Sequence, residues 1–181
     1  MLIAGIILLL NLALLPALDR RRYSPNRVKC AANLRAIGFA CIMYANADRQ
    51  GRYPDTFETL MVTEGITPEV FCCPTSDDQP AKSADQLSAG GHLSYIYVGS
   101  GLTKKLAGEG HSGFEGDSSF VIAFEPLKNH RDNGMNVVFA DGQVRWLGAE
   151  QGKKLQAVAE SAPGKLIRWD GKTATVATTQ P

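Results

Sequence analysis

Residues 2–18 carry no charged side chain and run directly into Asp19-Arg20-Arg21-Arg22, after which apolar residues recur at helical spacing. No other stretch of the 181 residues restricts the fold so strongly. A helix over residues 2–18 is roughly 25 Å long at 1.5 Å per residue, just short of the hydrocarbon core of a bilayer. Asn11 and Pro16 interrupt the run, but membrane helices tolerate both. Of three readings, a transmembrane helix is preferred. A cleaved signal peptide wants a charged start and a small-x-small cleavage site, and neither is clear. A buried helix of a soluble core usually keeps a polar face, which is missing here. The orientation is in conflict: Arg20 to Arg22 follow the run, and the positive-inside rule would hold the body of the protein in the cytoplasm.

Ser24-Pro25 reads as a helix start, a capping hydroxyl followed by proline at the first helical position. From residue 26 to 47, Cys30, Leu34, Ile37, Cys41 and Tyr44 are spaced 4, 3, 4 and 3 apart, which is one face of a helix. Arg27, Lys29, Asn33 and Arg35 lie mostly off that face. The helix should end at residues 48–51, before Tyr53-Pro54. A greasy segment passing into such a helix can be held in lipid at one end and packed on a sheet at the other.

The rest of the composition is that of one ordinary domain: 44% hydrophobic, 20% charged, net charge +1. That balance gives no basic surface for nucleic acid. The four cysteines are Cys30, Cys41, Cys72 and Cys73. Cys30 and Cys41 are about 16 Å apart along one helix and cannot bond each other. Cys72-Cys73 is neither a redox nor a zinc Cys-x-x-Cys pattern. In an oxidising compartment one of that pair could bond Cys30 or Cys41; free thiols are the alternative.

Between residues 51 and 118, Asp55 with Glu58 three positions on suggests a capped short helix that Gly65 stops. Residues 75–93 and 103–118 read as surface loops. Residues 94–99 and 120–124 are strands. The strongest short-range signal is Asp141-Gly142 between residues 136–140 and 143–147. A two-residue type I′ turn there would pair Phe139 with Val144 and Val137 with Trp146, all four facing the helix stripe. Residues 150–160 look helical, and a second Asp-Gly hairpin spans residues 166–176, as an edge addition or an appendage.

Taken in order, Lys29-Cys30-Ala31-Ala32-Asn33-Leu34-Arg35-Ala36-Ile37-Gly38, Gly51-Arg52-Tyr53-Pro54, Cys73-Pro74 and Asn136-Val137-Val138-Phe139-Ala140-Asp141-Gly142-Gln143-Val144 form a specific set. From the apolar run to about residue 147 the chain resembles bacterial prepilin-like proteins that carry a domain of unknown function with a C-terminal His-x9-Asp-Gly motif, a group abundant in planctomycetes. The resemblance implies a type II secretion pseudopilin-like fold, a long N-terminal helix whose distal half packs on a small antiparallel sheet. Two departures matter. Pseudopilin precursors carry a basic leader and a Gly-Phe-Thr-Leu-Val-Glu-like cleavage site before the apolar run, whereas this run begins at Met1. Either the start lies upstream, which would also resolve the orientation conflict, or processing has been lost; peptidase cleavage is not carried over. Second, ten residues rather than nine separate His130 from Asp141, with the extra one in the turn around Arg131-Asp132-Asn133-Gly134.

Only fragments of a chemical site stand out. No His-Glu-x-x-His, Walker loop or Gly-x-Ser-x-Gly occurs. His92, His111 and His130 are scattered over loops. Glu125, His130, Asp132 and Asp141 are candidate oxygen and nitrogen ligands near one end of the sheet, for calcium if for any ion. The plainer reading has Asp132 and Asp141 shaping turns, with no cofactor. The expectation is thus an α+β protein with an anchor at 1–23, a pilin-like domain at 24–150 and a helix–hairpin extension at 151–181. Its role would be structural, in a single-pass protein of the inner membrane with its domain on the periplasmic side and other pilin-like subunits as partners. An anchored module binding a polysaccharide or ion through its loops is the alternative, and an envelope hydrolase is the least supported.

Overall fold

The computed structural model describes residues 2–108 and 119–177, residues 2–24 by backbone alone. Helix α1 (Leu2–Ala47) is continuous and runs straight through Ser24-Pro25. That pair therefore does not begin a separate helix. A proline inside a helix removes one hydrogen bond, and good helix formers on both sides carry the helix across it. Residues Pro25–Ala47 are long and apolar enough to cross a membrane by length and composition alone. One stripe of that segment, however, is used against the sheet. Cys30, Leu34, Ile37 and Cys41 are fully buried, while Tyr44 is half-buried and Ala45 takes the next inward position.

The sheet is an antiparallel meander of β1 (Ile96–Tyr97), β2 (Val121–Phe124), β3 (Gly134–Phe139) and β4 (Val144–Gly148), in that spatial order. The protein is thus a mixture of helix and antiparallel sheet. The β3–β4 register differs from expectation by one residue: Val138 faces Val144, Val137 faces Arg145 and Asn136 faces Trp146. The turn explains the slip. Phe139 C=O accepts from Gly142 N–H at 2.9 Å, and Phe139 N–H donates to Gln143 C=O at 3.0 Å. This is a three-residue loop closed by a bulge at Gly142, whose φ is +75°. Asp141 keeps a negative φ, and its Oδ1 accepts the Gln143 N–H at 2.9 Å.

A one-residue slip exchanges the faces of a strand. Val138 and Ala140 therefore join the core under α1, with Val144 at its margin. Trp146 is on the same side, stacked under the Arg27 guanidinium at 4.1 Å. Val137 and Phe139 turn the other way, into a second core with Met135, Leu147 and Leu155. That second layer is built by α4 (Ala149–Ser161), which packs on β3 and β4. Residues beyond 150 are therefore part of the sheet's packing, and β3 is buried along its whole length. At about 1.5–3 kcal/mol per large side chain buried, neither layer is dispensable.

The remaining elements frame these two cores. Strands β5 (Ile167–Trp169) and β6 (Ala174–Val176) form a separate ribbon, tied to the main sheet where Trp169 N–H donates to Ser119 C=O at 2.7 Å. Helix α2 (Phe57–Thr63) begins one residue later than the Asp55 signal implies, with Thr56 at its cap. A 3-10 turn (Pro68–Phe71) delivers Cys72 and Cys73, and a one-turn helix α3 (Ala84–Leu87) lies inside the expected surface loop. A second 3-10 turn (Leu127–His130) follows β2.

Candidate functional site

The polar centre of the molecule forms where four separate segments meet. Cys30 comes from α1, Cys73 from the segment after the first 3-10 turn, Glu125 from the position just after β2, and His130 from the end of the second 3-10 turn. All four are buried, and one ligand-capable atom from each lies within 4.8 Å of the other three. Glu125 and His130 are wholly enclosed, and His130 Nε2 is 2.9 Å from Glu125 Oε2. The same Oε2 lies 3.9 Å from Cys73 Sγ. The other oxygen, Oε1, accepts both the Asn136 backbone N–H and its Nδ2, each at 2.6 Å. Asn136 Nδ2 also donates to the Arg27 carbonyl at 3.1 Å, which ties α1 to the carboxylate through one amide.

A buried carboxylate is costly unless its oxygens are satisfied, and here each oxygen has partners. Burial disfavours a charged His130 ring, yet its hydrogen bonds to Cys73 and Glu125 outweigh that and raise its pKa to about 9. The Cys73 thiol is pulled well below its ordinary range, first by its hydrogen bond with Cys30 and, against burial, by those with His130 and Thr75. Cys30 is pushed the opposite way by Cys73 and by burial. Cys73 N–H donates to Ser94 Oγ at 2.8 Å, and its sulfur is 2.9 Å from Thr75 Oγ1, so the residue is fixed from two sides.

One carboxylate oxygen approaches both the sulfur and the ring nitrogen, and the four groups form a compact knot closed to solvent. What they offer is a donor set of two sulfurs, one nitrogen and one oxygen.

Of the four ligand candidates read from sequence, the structure unites only Glu125 and His130. Asp132 is exposed on a turn with φ +58°, beside Arg131 at φ +54°. Two consecutive non-glycine residues in the left-handed region are uncommon, and they occur in the turn that carries the extra residue of the His-to-Asp-Gly spacing. Asp141 serves its own hairpin, accepting from Gln143 and lying 3.5 Å from Arg145. An oxygen-lined calcium site from those four does not form. His92 lies elsewhere, its ring against the Gln79 carbonyl. His111 and residues 109–118 of the second loop lie outside the described residues. Sequence reasoning gave Cys30 to the buried stripe and left Cys72 and Cys73 as either a staple or free thiols, and missed that Glu125 and His130 close around Cys30 and Cys73. The signal was a Glu and a His five residues apart, flanking a turn.

Of the two cysteine readings, the structure has free thiols and no disulfide: Cys73 lies beside Cys30 without a bond to it, and Cys41 and Cys72 stand apart. No protein-family model, curated protein or solved structure matches this chain.

Proposed function

We propose that this protein is a membrane-anchored, pseudopilin-like structural component of the bacterial cell envelope, part of an assembly or of secretion machinery, with its globular body on the extracytoplasmic side. The observation that carries this reading is a second apolar stripe on α1. Val28, Ala32, Ala36, Phe39 and Met43 are all exposed, Val28 at 65% and Met43 at 60%. At 3.6 residues per turn these five fall within an arc of about 80°, roughly opposite the stripe buried on the sheet. The two alanines leave room for a close helix approach, and the larger residues supply the contact. The stripe suits a second copy of α1, and the helix it belongs to is continuous with the apolar run of residues 2–18. The motif order described above supports the same reading, and the role is one of assembly.

The test is crosslinking of the full-length protein in detergent or in membranes. Ladders of oligomers are expected, and Val28→Glu with Met43→Glu should abolish them without lowering the melting temperature. A chain that stays monomeric in membranes at every crosslinker concentration would defeat the proposal.

A further inference from the structure

We propose that Cys30, Cys73, Glu125 and His130 form a closed structural site for a borderline-soft divalent cation of the zinc type. The donor atoms are already gathered, all within 4.8 Å of one another. In a tetrahedral zinc site the bond lengths of about 2.3 Å to sulfur and about 2.0–2.2 Å to nitrogen and oxygen set the edges. They correspond to roughly 3.8 Å between sulfurs, roughly 3.6 Å from sulfur to oxygen and roughly 3.4 Å from nitrogen to oxygen. The Cys73 sulfur is 3.9 Å from Glu125 Oε2, and His130 Nε2 is 2.9 Å from it. The first edge is near its required length. The second is short because a proton now joins the two atoms, and a cation replacing that proton opens the edge by about half an ångström.

The donor chemistry selects the metal class. Calcium and magnesium take oxygen ligands, while two sulfurs with an imidazole and one carboxylate suit zinc or a metal of similar softness. Four protein ligands and full burial leave no open position, which marks a structural rather than a catalytic site. The surrounding shell is also built. Asn136 holds Glu125 Oε1 with two donors and so turns Oε2 towards the cluster, as second-shell partners do. The ligands come from four segments scattered over a hundred residues, so the cation would clamp α1, the Cys72-Cys73 segment and the sheet together. Its binding energy becomes folding energy.

The test uses the full-length chain in detergent, purified with reductant and stripped by chelator, then loaded with zinc or cobalt(II) and desalted. Expected are one metal per chain, a rise in melting temperature on loading, and for cobalt the sulfur-to-metal charge-transfer band with strong visible absorption of a tetrahedral site. Cys30→Ser and Cys73→Ser should lose the charge-transfer intensity, and Cys41→Ser and Cys72→Ser should keep it. Asn136→Ala, which withdraws the side-chain donor from Glu125 and from the Arg27 carbonyl while leaving all four ligands in place, should weaken metal binding about 10- to 100-fold. If the ligand variants do not fold, the spectrum and stoichiometry of the unaltered chain decide. Failure to take up metal overturns the proposal, whether the two sulfurs prove to be a disulfide in the unreduced protein or free thiols beside a buried ion pair. A cobalt spectrum without sulfur charge transfer overturns it as well.

Discussion

Gly38 of α1 lies directly over Val138 of β3: a methyl group built on its Cα would sit 2.5 Å from Val138 Cγ2. Helix and sheet approach this closely because position 38 has no side chain. Gly38→Ala would gain up to about 1 kcal/mol of helix propensity. Val138 is β-branched and fully buried, so it cannot swing aside. Overpacking of this kind costs about 1–3 kcal/mol, and we expect a net loss read as a lower denaturant midpoint. Adding Val138→Ala should recover part of it, giving a double variant more stable than the sum of the single changes. Full additivity would mean that α1 does not rest on Val138.

Asn136 offers a sharper test of the buried centre. Asn136→Asp keeps its shape but faces Glu125 with a second carboxylate and removes the donor to the Arg27 carbonyl. Asn136→Leu withdraws the same donor from both Glu125 and the Arg27 carbonyl but adds no charge. Losing one hydrogen bond to a buried group costs about 1–3 kcal/mol, and leaving buried charge uncompensated about 3–5 kcal/mol. Denaturant midpoints at neutral pH should therefore fall in the order Asn, Leu, Asp. An Asp variant at least as stable as the Leu variant would contradict the charge arrangement around Glu125.

What could be read from the residues alone follows from the range of the interaction. The buried stripe of α1 and the strands β2 to β4 follow local periodicity, so Leu34, Ile37 and Val138 fell on predicted elements. The face of β3 that α1 covers did not, because it depends on one residue in a turn. Asp-Gly is compatible with two- and three-residue loops, and only the Asp141–Gln143 hydrogen bond and the negative φ of Asp141 select the longer one. That choice sent Phe139 to α4 rather than to α1. The Cys30–Cys73–Glu125–His130 cluster was invisible for a different reason. Its members are joined by tertiary packing across separations of up to a hundred residues, with no shared motif.

The β5–β6 ribbon should respond to acid. Asp170 Oδ1 accepts the Lys172 and Thr173 N–H groups at 2.8 and 2.7 Å, and Oδ2 accepts the Thr173 hydroxyl at 2.7 Å. These bonds favour the charged form and hold its pKa down at about 2. An unfolded aspartate titrates near 3.9. The folded value is the lower one, so the turn's stabilisation is complete above about pH 4 and is lost as pH falls through about 2. Carboxyl-carbon titration by NMR should give the depressed value, and amide exchange at Thr173 should quicken over the same window. Asp170→Asn should flatten that dependence. A normal titration midpoint would show that the turn is open in solution.

Thiol labelling in the native state separates the four cysteines by their surroundings. Cys72 is half-buried, its sulfhydryl directed at the His92 carbonyl at 3.7 Å. Burial, with the charges of Asp78 and Glu69, raises its pKa to about 11, so it should react first but far more slowly than a free thiol. Cys30, Cys41 and Cys73 are at most 2% exposed and should wait for opening of the core, at rates that track global stability when opening is fast and reversible. Cys30 and Cys73 share one cluster, whereas Cys41 lies three turns further along α1. A chelator should therefore accelerate the first two together, and Cys41 by less. Mass spectrometry of the labelled peptides reads each site separately. Rapid labelling of all four without chelator would mean that α1 is not docked on the sheet, and equal acceleration of Cys41 would mean that the chelator loosens the whole core rather than the clamp between α1 and Cys73.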